Sequence, residues 1–170
     1  ISGDVLTLGY TANFSDKNVG TGKTVSVTGI SITGGTDQSN YTLGNTTAST
    51  TANITQKTLT VTTSGTDKVY DGNTTATVTL NDDRIAGDVL TASYAGATFS
   101  DKNAGTGKTV TVTGISISGT DAGNYTLSST GATTTANITA KTLTVTATGV
   151  NKVADGTTAA TVTLSDDRIA

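Results

Sequence analysis

The chain has 170 residues, of which 43 are Thr and 14 are Ser, and it contains no Cys, Pro, Met, Trp or His. All 13 acids are Asp, set against 10 Lys and Arg, for a formal net charge of -3. This excludes thiol chemistry, Cys/His zinc sites and His-based catalysis, and it disfavours nucleic-acid binding, which needs a basic face.

Thr and Val are branched at Cβ, which restricts χ1 and favours strands, and the usual helix formers Glu and Met are absent. The expectation is an all-β protein. No stretch of about 18 apolar residues is present, so no membrane span is expected. The composition, rich in Thr, Asp, Asn and Gly and free of Cys, points to an extracellular or bacterial cell-surface location.

From the start, Ile1-Ser-Gly-Asp-Val-Leu6 opens a pattern that returns as Ile85-Ala-Gly-Asp-Val-Leu90, an offset of 84. Tyr10 and Phe14 lead to an Asp16-Lys17-Asn18 turn, and Phe14-Ser-Asp-Lys-Asn18 returns as Phe99-Ser-Asp-Lys-Asn103. Gly20-Thr-Gly-Lys-Thr24 superficially resembles a phosphate loop. Its first Gly is too close to Gly-Lys and no helix follows, so it reads as a hairpin loop. Val25 and Val27 share one strand parity while Ile30 and Ile32 have the other, with Gly29 at the switch. The same holds for Val110, Val112, Gly114, Ile115 and Ile117. A β-bulge or sharp bend at each Gly would return both pairs to the core side. Tyr41-Thr-Leu43 recurs as Tyr125-Thr-Leu127, and these aromatic residues read as core anchors.

The run from Thr50 to Thr62 has no Gly or Pro, so a continuous β segment is expected there rather than a flexible linker. Leu59 and Val61 alternate with Thr, as do Val78 and Leu80, and turns are marked at Asp71-Gly72-Asn73 and Asn81-Asp82-Asp83. Residues 141–164 match 57–80 at 17 of 24 positions. Each repeat of about 84 residues should hold six or seven strands, as an Ig-like β-sandwich in tandem. The alternative is a β-grasp-like mixed sheet with a short helical turn from Asp82 to Ala86.

Lys68-Val-Tyr-Asp-Gly72, the Phe99 to Lys108 run, Gly123-Asn-Tyr-Thr-Leu127 and Thr135-Ala-Asn-Ile-Thr139 together resemble the YDG-type repeat of bacterial surface and secreted proteins related to filamentous-haemagglutinin adhesins. The resemblance spans the chain and implies an extracellular array module without catalysis. The second motif departs from it, with Ala154 where Tyr70 stands, which points to packing rather than ligand binding for Tyr70. In the family's phase, residues 57–139 form a complete repeat, preceded by the C-terminal part of a repeat (1–56) and followed by the N-terminal part of another (140–170). The alternative phase is 1–84 and 85–168. Either the chain is a window from a longer array, or the tail of one molecule completes the head of the next.

Asp82, Asp83 and Asp88 are candidate calcium ligands, since hard cations take several oxygens, although Arg84 lies beside them and no Asp-x-Asp-x-Asp-Gly loop is present. Lys57 and Lys141, each at a strand start, are candidates for a Lys–Asn amide cross-link. No spacing singles out a catalytic group, and no other cofactor is expected. The expected function is a structural module of an adhesin stalk or a self-assembling surface filament, with neighbouring repeats or copies of itself as partners. The alternative is a module that binds host or matrix glycan or protein through its repeat loops.

Overall fold

The computed structural model describes residues 1–169. The protein is all-β, and the strands run in chain order as β1 (Thr7–Phe14), β2 (Gly20–Gly34), β3 (Ala48–Ile54), β4 (Lys57–Leu59), β5 (Val61–Gly65), β6 (Lys68–Val69), β7 (Val78–Asp82), β8 (Thr91–Ser93), β9 (Gly96–Phe99), β10 (Gly105–Thr113), β11 (Ser116–Ser118), β12 (Tyr125–Leu127), β13 (Gly131–Thr139), β14 (Val145–Val150) and β15 (Thr161–Asp166). The helices among the described residues are two 3₁₀ turns, Gln38–Asn40 and Ala122–Asn124. None is long and apolar enough to cross a membrane.

The chain forms two compact units, each discontinuous in sequence. The first comprises Ile1–Leu59, Arg84–Thr91 and Ile117–Ser128. It holds an antiparallel sheet of order β1-β2-β3 and a parallel pair, β12-β4. The second comprises Thr60–Asp83, Ala92–Ser116 and the residues from Ser129 onward. It holds the sheet β6-β13-β10-β9 and the hairpins β5-β7 and β14-β15.

In the second unit the β5-β7 hairpin lies against β13. A side chain at Gly65 would come within 2.7 Å of the Thr135 carbonyl oxygen and 2.9 Å of the Ala136 methyl, so only Gly permits this approach. The two layers make a β-sandwich whose core is Ala76, Val78, Ala97, Phe99, Val110, Val112, Ile115, Ala136 and Ile138, all buried. The pairing of β6 with β13 is parallel, so the sheet is mixed, as the second sequence expectation had it. The helical turn expected from Asp82 to Ala86 is not formed. Asp82 ends β7, and the segment closes instead in a turn in which the Asp88 N–H donates to the Ile85 carbonyl at 3.1 Å.

The parity switch is a bulge. Gly9 pairs with Ser31 and Thr11 with Thr28, so Gly29 and Ile30 together oppose Tyr10, and Gly29 has φ +64°. After it, Val25, Val27, Ile30 and Ile32 are all half-buried. The Gly20 to Thr24 run is not a hairpin loop. It forms the start of β2, where a register shift between Gly20 and Lys23 lets the Gly22 N–H reach the Asn53 side-chain oxygen at 2.8 Å.

Burial depends on the sequence copy. Val110 and Val112 are 0% and 1% exposed, whereas their counterparts Val25 and Val27 are only half-buried. Phe99 is buried, whereas its counterpart Phe14 is 40% exposed. In the β14-β15 hairpin Val162 and Leu164 are exposed, whereas Val78 is buried.

Candidate functional site

The candidate site lies in the first unit, where residues of the first sequence copy meet residues of the second. It starts from the Asp16-Lys17-Asn18 turn. Asp16 accepts the Asn18 backbone N–H at 2.8 Å, a local bond that Asp makes readily, and it pairs with Lys23 on β2. The turn thereby presents Lys17.

The Lys17 ammonium sits 2.6 Å from Asp88 Oδ1 and 3.1 Å from Asp121 Oδ1. Each carboxylate is held by its other oxygen. Asp121 Oδ2 accepts the Val89 N–H at 2.8 Å, and Asp88 Oδ2 accepts the Tyr125 hydroxyl at 2.6 Å. The Tyr125 hydroxyl in turn accepts the Ile85 N–H at 2.9 Å. Arg84 donates to the Leu90 carbonyl and fixes the loop that carries Asp88. The Lys17 side chain is 63% exposed while that of Asp88 is 7% exposed, so a solvated cation caps two largely enclosed carboxylates.

Neighbouring backbone reinforces this contact. β4 runs parallel to β12, with Lys57 opposite Tyr125 and Leu59 opposite Leu127. The Gln56 amide donates to the carbonyls of Gly123 at 3.0 Å and Tyr125 at 3.1 Å. The Val19 N–H donates to Asn124 Oδ1 at 2.9 Å. Lys57 lies 5.9 Å above the Tyr125 ring, and Leu59 is fully buried.

The electrostatics follow from these contacts. The hydrogen bond from Lys17, then that from Tyr125, holds the Asp88 carboxyl below its ordinary value. Bonds to Asp88 and Asp121 push the Lys17 ammonium up. Burial, and then the bond to Asp88, raises the Tyr125 phenol. A lysine held protonated in this way is a clamp rather than a nucleophile.

The expected calcium ligands serve other ends. Asp83 Oδ1 accepts the Thr60 N–H at 2.8 Å, Asp82 stands opposite Val61 in the β5-β7 ladder, and Asp88 belongs to the Lys17 contact. Among the described residues no group of three or more acids is arranged to hold a metal ion. In the other copy Arg168 pairs with Asp166, and Asp167 accepts the Thr144 N–H at 2.9 Å. Of the cross-link candidates, Lys141 pairs with Asp167 at 3.1 Å, and Lys57 meets the Thr58 carbonyl and the Tyr125 face.

Sequence reasoning passed over two lysines. Lys17 reads as a solvated turn residue, yet a usable signal was present: Lys17, Asp88 and Asp121 recur in register as Lys102, Asp4 and Asp37. Lys68, in the YDG motif, binds Asp71 Oδ1 at 2.8 Å, Asn73 Oδ1 at 3.0 Å and the Thr75 carbonyl at 3.0 Å, so it braces its own loop. Lys152 braces the second loop through Asp155 and Thr157, without a Tyr at 154.

A family model described as YDG domain matches residues 1–51 and 55–136. No curated protein and no solved structure matches the chain.

Proposed function

The chain belongs to the YDG domain family, and from that premise we propose that it is a structural tandem-repeat module of an extracellular bacterial surface protein, an adhesin stalk or filament of the filamentous-haemagglutinin kind. One observation carries this reading: Lys17 of one sequence copy grips Asp88 and Asp121 of the next, 71 and 104 residues away. A repeat tied to its successor by an ion pair, a parallel strand pair and side-chain amide bonds converts chain length into reach without a compliant linker. The residue phase 1–56, 57–139 and 140–170 belongs to the same proposal, and the full burial of Val110 against the half-burial of Val25 supports it.

The same contact weighs against a loop-recognition role. The Asp16-Lys17-Asn18 loop, a natural candidate for glycan or protein recognition, is engaged inside the chain. The test is single-molecule stretching of the full chain between handles, together with antibody detection on intact source cells. Surface exposure and cooperative rupture, with no soft extension of residues 50–62, are expected. A soft extension preceding rupture, or absence from the cell surface, overturns the proposal.

A further inference from the structure

The cross-link chemistry that the sequence suggested for Lys57 and Lys141 finds its three parts elsewhere, in the loop of the YDG motif. We propose that the Lys68 amine and the Asn73 carboxamide condense to an amide, with Asp71 as the group that carries the protons.

Such a condensation needs a lysine out of bulk water, a carboxamide within reach and a carboxyl group to move protons. Lys68 opens β6, and the Asp71-Gly72-Asn73 turn, with Gly72 at φ +82°, brings the following residues back onto its side chain. That side chain is 19% exposed, and its ammonium lies 5.5 Å from the ring centre of the buried Phe99. Nζ donates to Asp71 Oδ1 at 2.8 Å and to Asn73 Oδ1 at 3.0 Å, so nucleophile, base and electrophile form one hydrogen-bonded set. The carbon to be attacked is bonded to the oxygen that Nζ already meets. The same oxygen accepts the Thr75 N–H at 2.9 Å, a donor that polarises the carbonyl and stabilises the charge that attack places on it. The Asn73 N–H, donating to Asp71 Oδ1 at 3.1 Å, keeps the carboxylate beside the carboxamide.

The bond from Lys68, then that from the Asn73 N–H, holds the Asp71 carboxyl below its ordinary value, so it rests as a carboxylate and can accept a proton. In the reaction the Nζ–Cγ bond forms and the Cγ–Nδ2 bond breaks. The two protons that Nζ gives up pass by way of Asp71 to the leaving nitrogen, which departs as ammonium. No oxidant or other reactant is required. The event happens once per molecule and its by-product escapes, so a small fraction of neutral amine carries it to completion.

The amide would lie where it ties a sheet together. Residues 74–76 run along the outer edge of β9, with the Phe99 N–H donating to the Thr74 carbonyl at 2.8 Å and the Ala76 N–H to the Ala97 carbonyl at 2.9 Å. β6 pairs with β13 at the opposite edge of the same sheet. A bond from Lys68 to Asn73 therefore joins the two edges through one short covalent ring. The second motif supplies a control: Thr157 stands where Asn73 does, and Lys152 binds Asp155 and Thr157 with no carboxamide to attack.

The test is peptide mapping by mass spectrometry of the full chain, denatured and digested with trypsin after prolonged incubation, with circular dichroism to check the fold of each variant. An amide on Lys68 blocks cleavage there. The wild type should therefore give residues 58–84 as one uncut peptide, lighter than its sequence by one ammonia, while cleavage after Lys152 is complete. Asn73→Ala should restore full mass and cleavage, and Asp71→Asn should slow the appearance of the uncut peptide by about a hundredfold or more. Peptides 58–68 and 69–84 at full mass overturn the proposal. So does loss of ammonia with Lys68 still cleaved, which marks a cyclic imide at Asn73 instead. An uncut, lightened peptide that forms equally fast in Asp71→Asn overturns the role of Asp71.

Discussion

Leu59 and Leu143 stand in identical Lys-Thr-Leu-Thr-Val runs, yet one is 0% and the other 54% exposed. Replacing each by Ala therefore tests how far neighbouring structure, rather than local sequence, sets stability. The change removes three carbons, worth about 2.4 kcal/mol of transfer free energy at about 0.8 kcal/mol per buried methylene. Leu59 also leaves a void beside Leu127, where β4 and β12 are paired, so the total should fall in the range of about 2–5 kcal/mol. Leu143 is already half in water and leaves no void, so about 1 kcal/mol is its upper bound. Urea unfolding followed by circular dichroism on dilute protein measures both, and the melting temperature of Leu59→Ala should fall by roughly 2–4 °C per kcal/mol. Equal losses, or a Leu59 loss below about 1 kcal/mol, would show that the burial described for Leu59 is not what stabilises the first unit.

The Lys17 contact predicts a definite pH dependence. Asp88 has its pKa lowered on folding, so its contribution is present above the unfolded value near about 4 and is lost as pH falls through the lower folded value. Lys17 has its pKa raised, so its contribution is full below about 10.4 and is lost as pH rises through the folded value. The stability difference between wild type and Lys17→Gln should be largest between these limits and shrink on both sides, and a difference constant with pH contradicts the contact. Gly29, at the bulge, and Gly114, between β10 and β11, make a second comparison. Gly29→Ala should lose about 1–2 kcal/mol, the cost of a left-handed conformation with open space around the new methyl. Gly114→Ala should lose more, since its methyl would sit 2.6 Å from that of Ala95. Equal urea midpoints for the two variants would refute the steric part.

The elements most readable from sequence were those with regular alternation. Leu59 and Val61 alternating with Thr announced strands, and the parity change from Val27 to Ile30 located a bulge at Gly29. The parallel partners were not readable. β4 has three residues and β6 two, too few for a period to show, and their partners β12 and β13 lie about 70 residues away, where only tertiary packing selects them. The mixed sheet therefore stood only as a second expectation. The candidate calcium set, Asp82, Asp83 and Asp88, is not brought together among the described residues, for a related reason. Neighbouring Asp residues suggest a shared ligand when read along the chain, but the fold turns each toward a different donor: Asp83 toward Thr60 and Asp88 toward Lys17 and Tyr125. The Lys17 clamp escaped because an Asp-Lys-Asn turn looks the same whether its lysine meets water or a distant pair of acids.

Nearly the same residues thus meet two fates within one molecule. Val110 is enclosed and Val25 half-enclosed, Phe99 enclosed and Phe14 exposed, Val78 enclosed and Val162 exposed. Composition and propensity are almost the same in each pair, so the difference comes from the neighbour each one packs against. Stability in such a chain is therefore not a sum over independent copies. On the proposed tandem-repeat reading, the contacts that Lys17, Gln56 and β4 make with the following copy add an interface term to the gain per repeat. The Lys17 clamp serves the same end. It places a salt-sensitive but geometrically specific contact at the point where one copy must register on the next, and register fixes which apolar residues face inward.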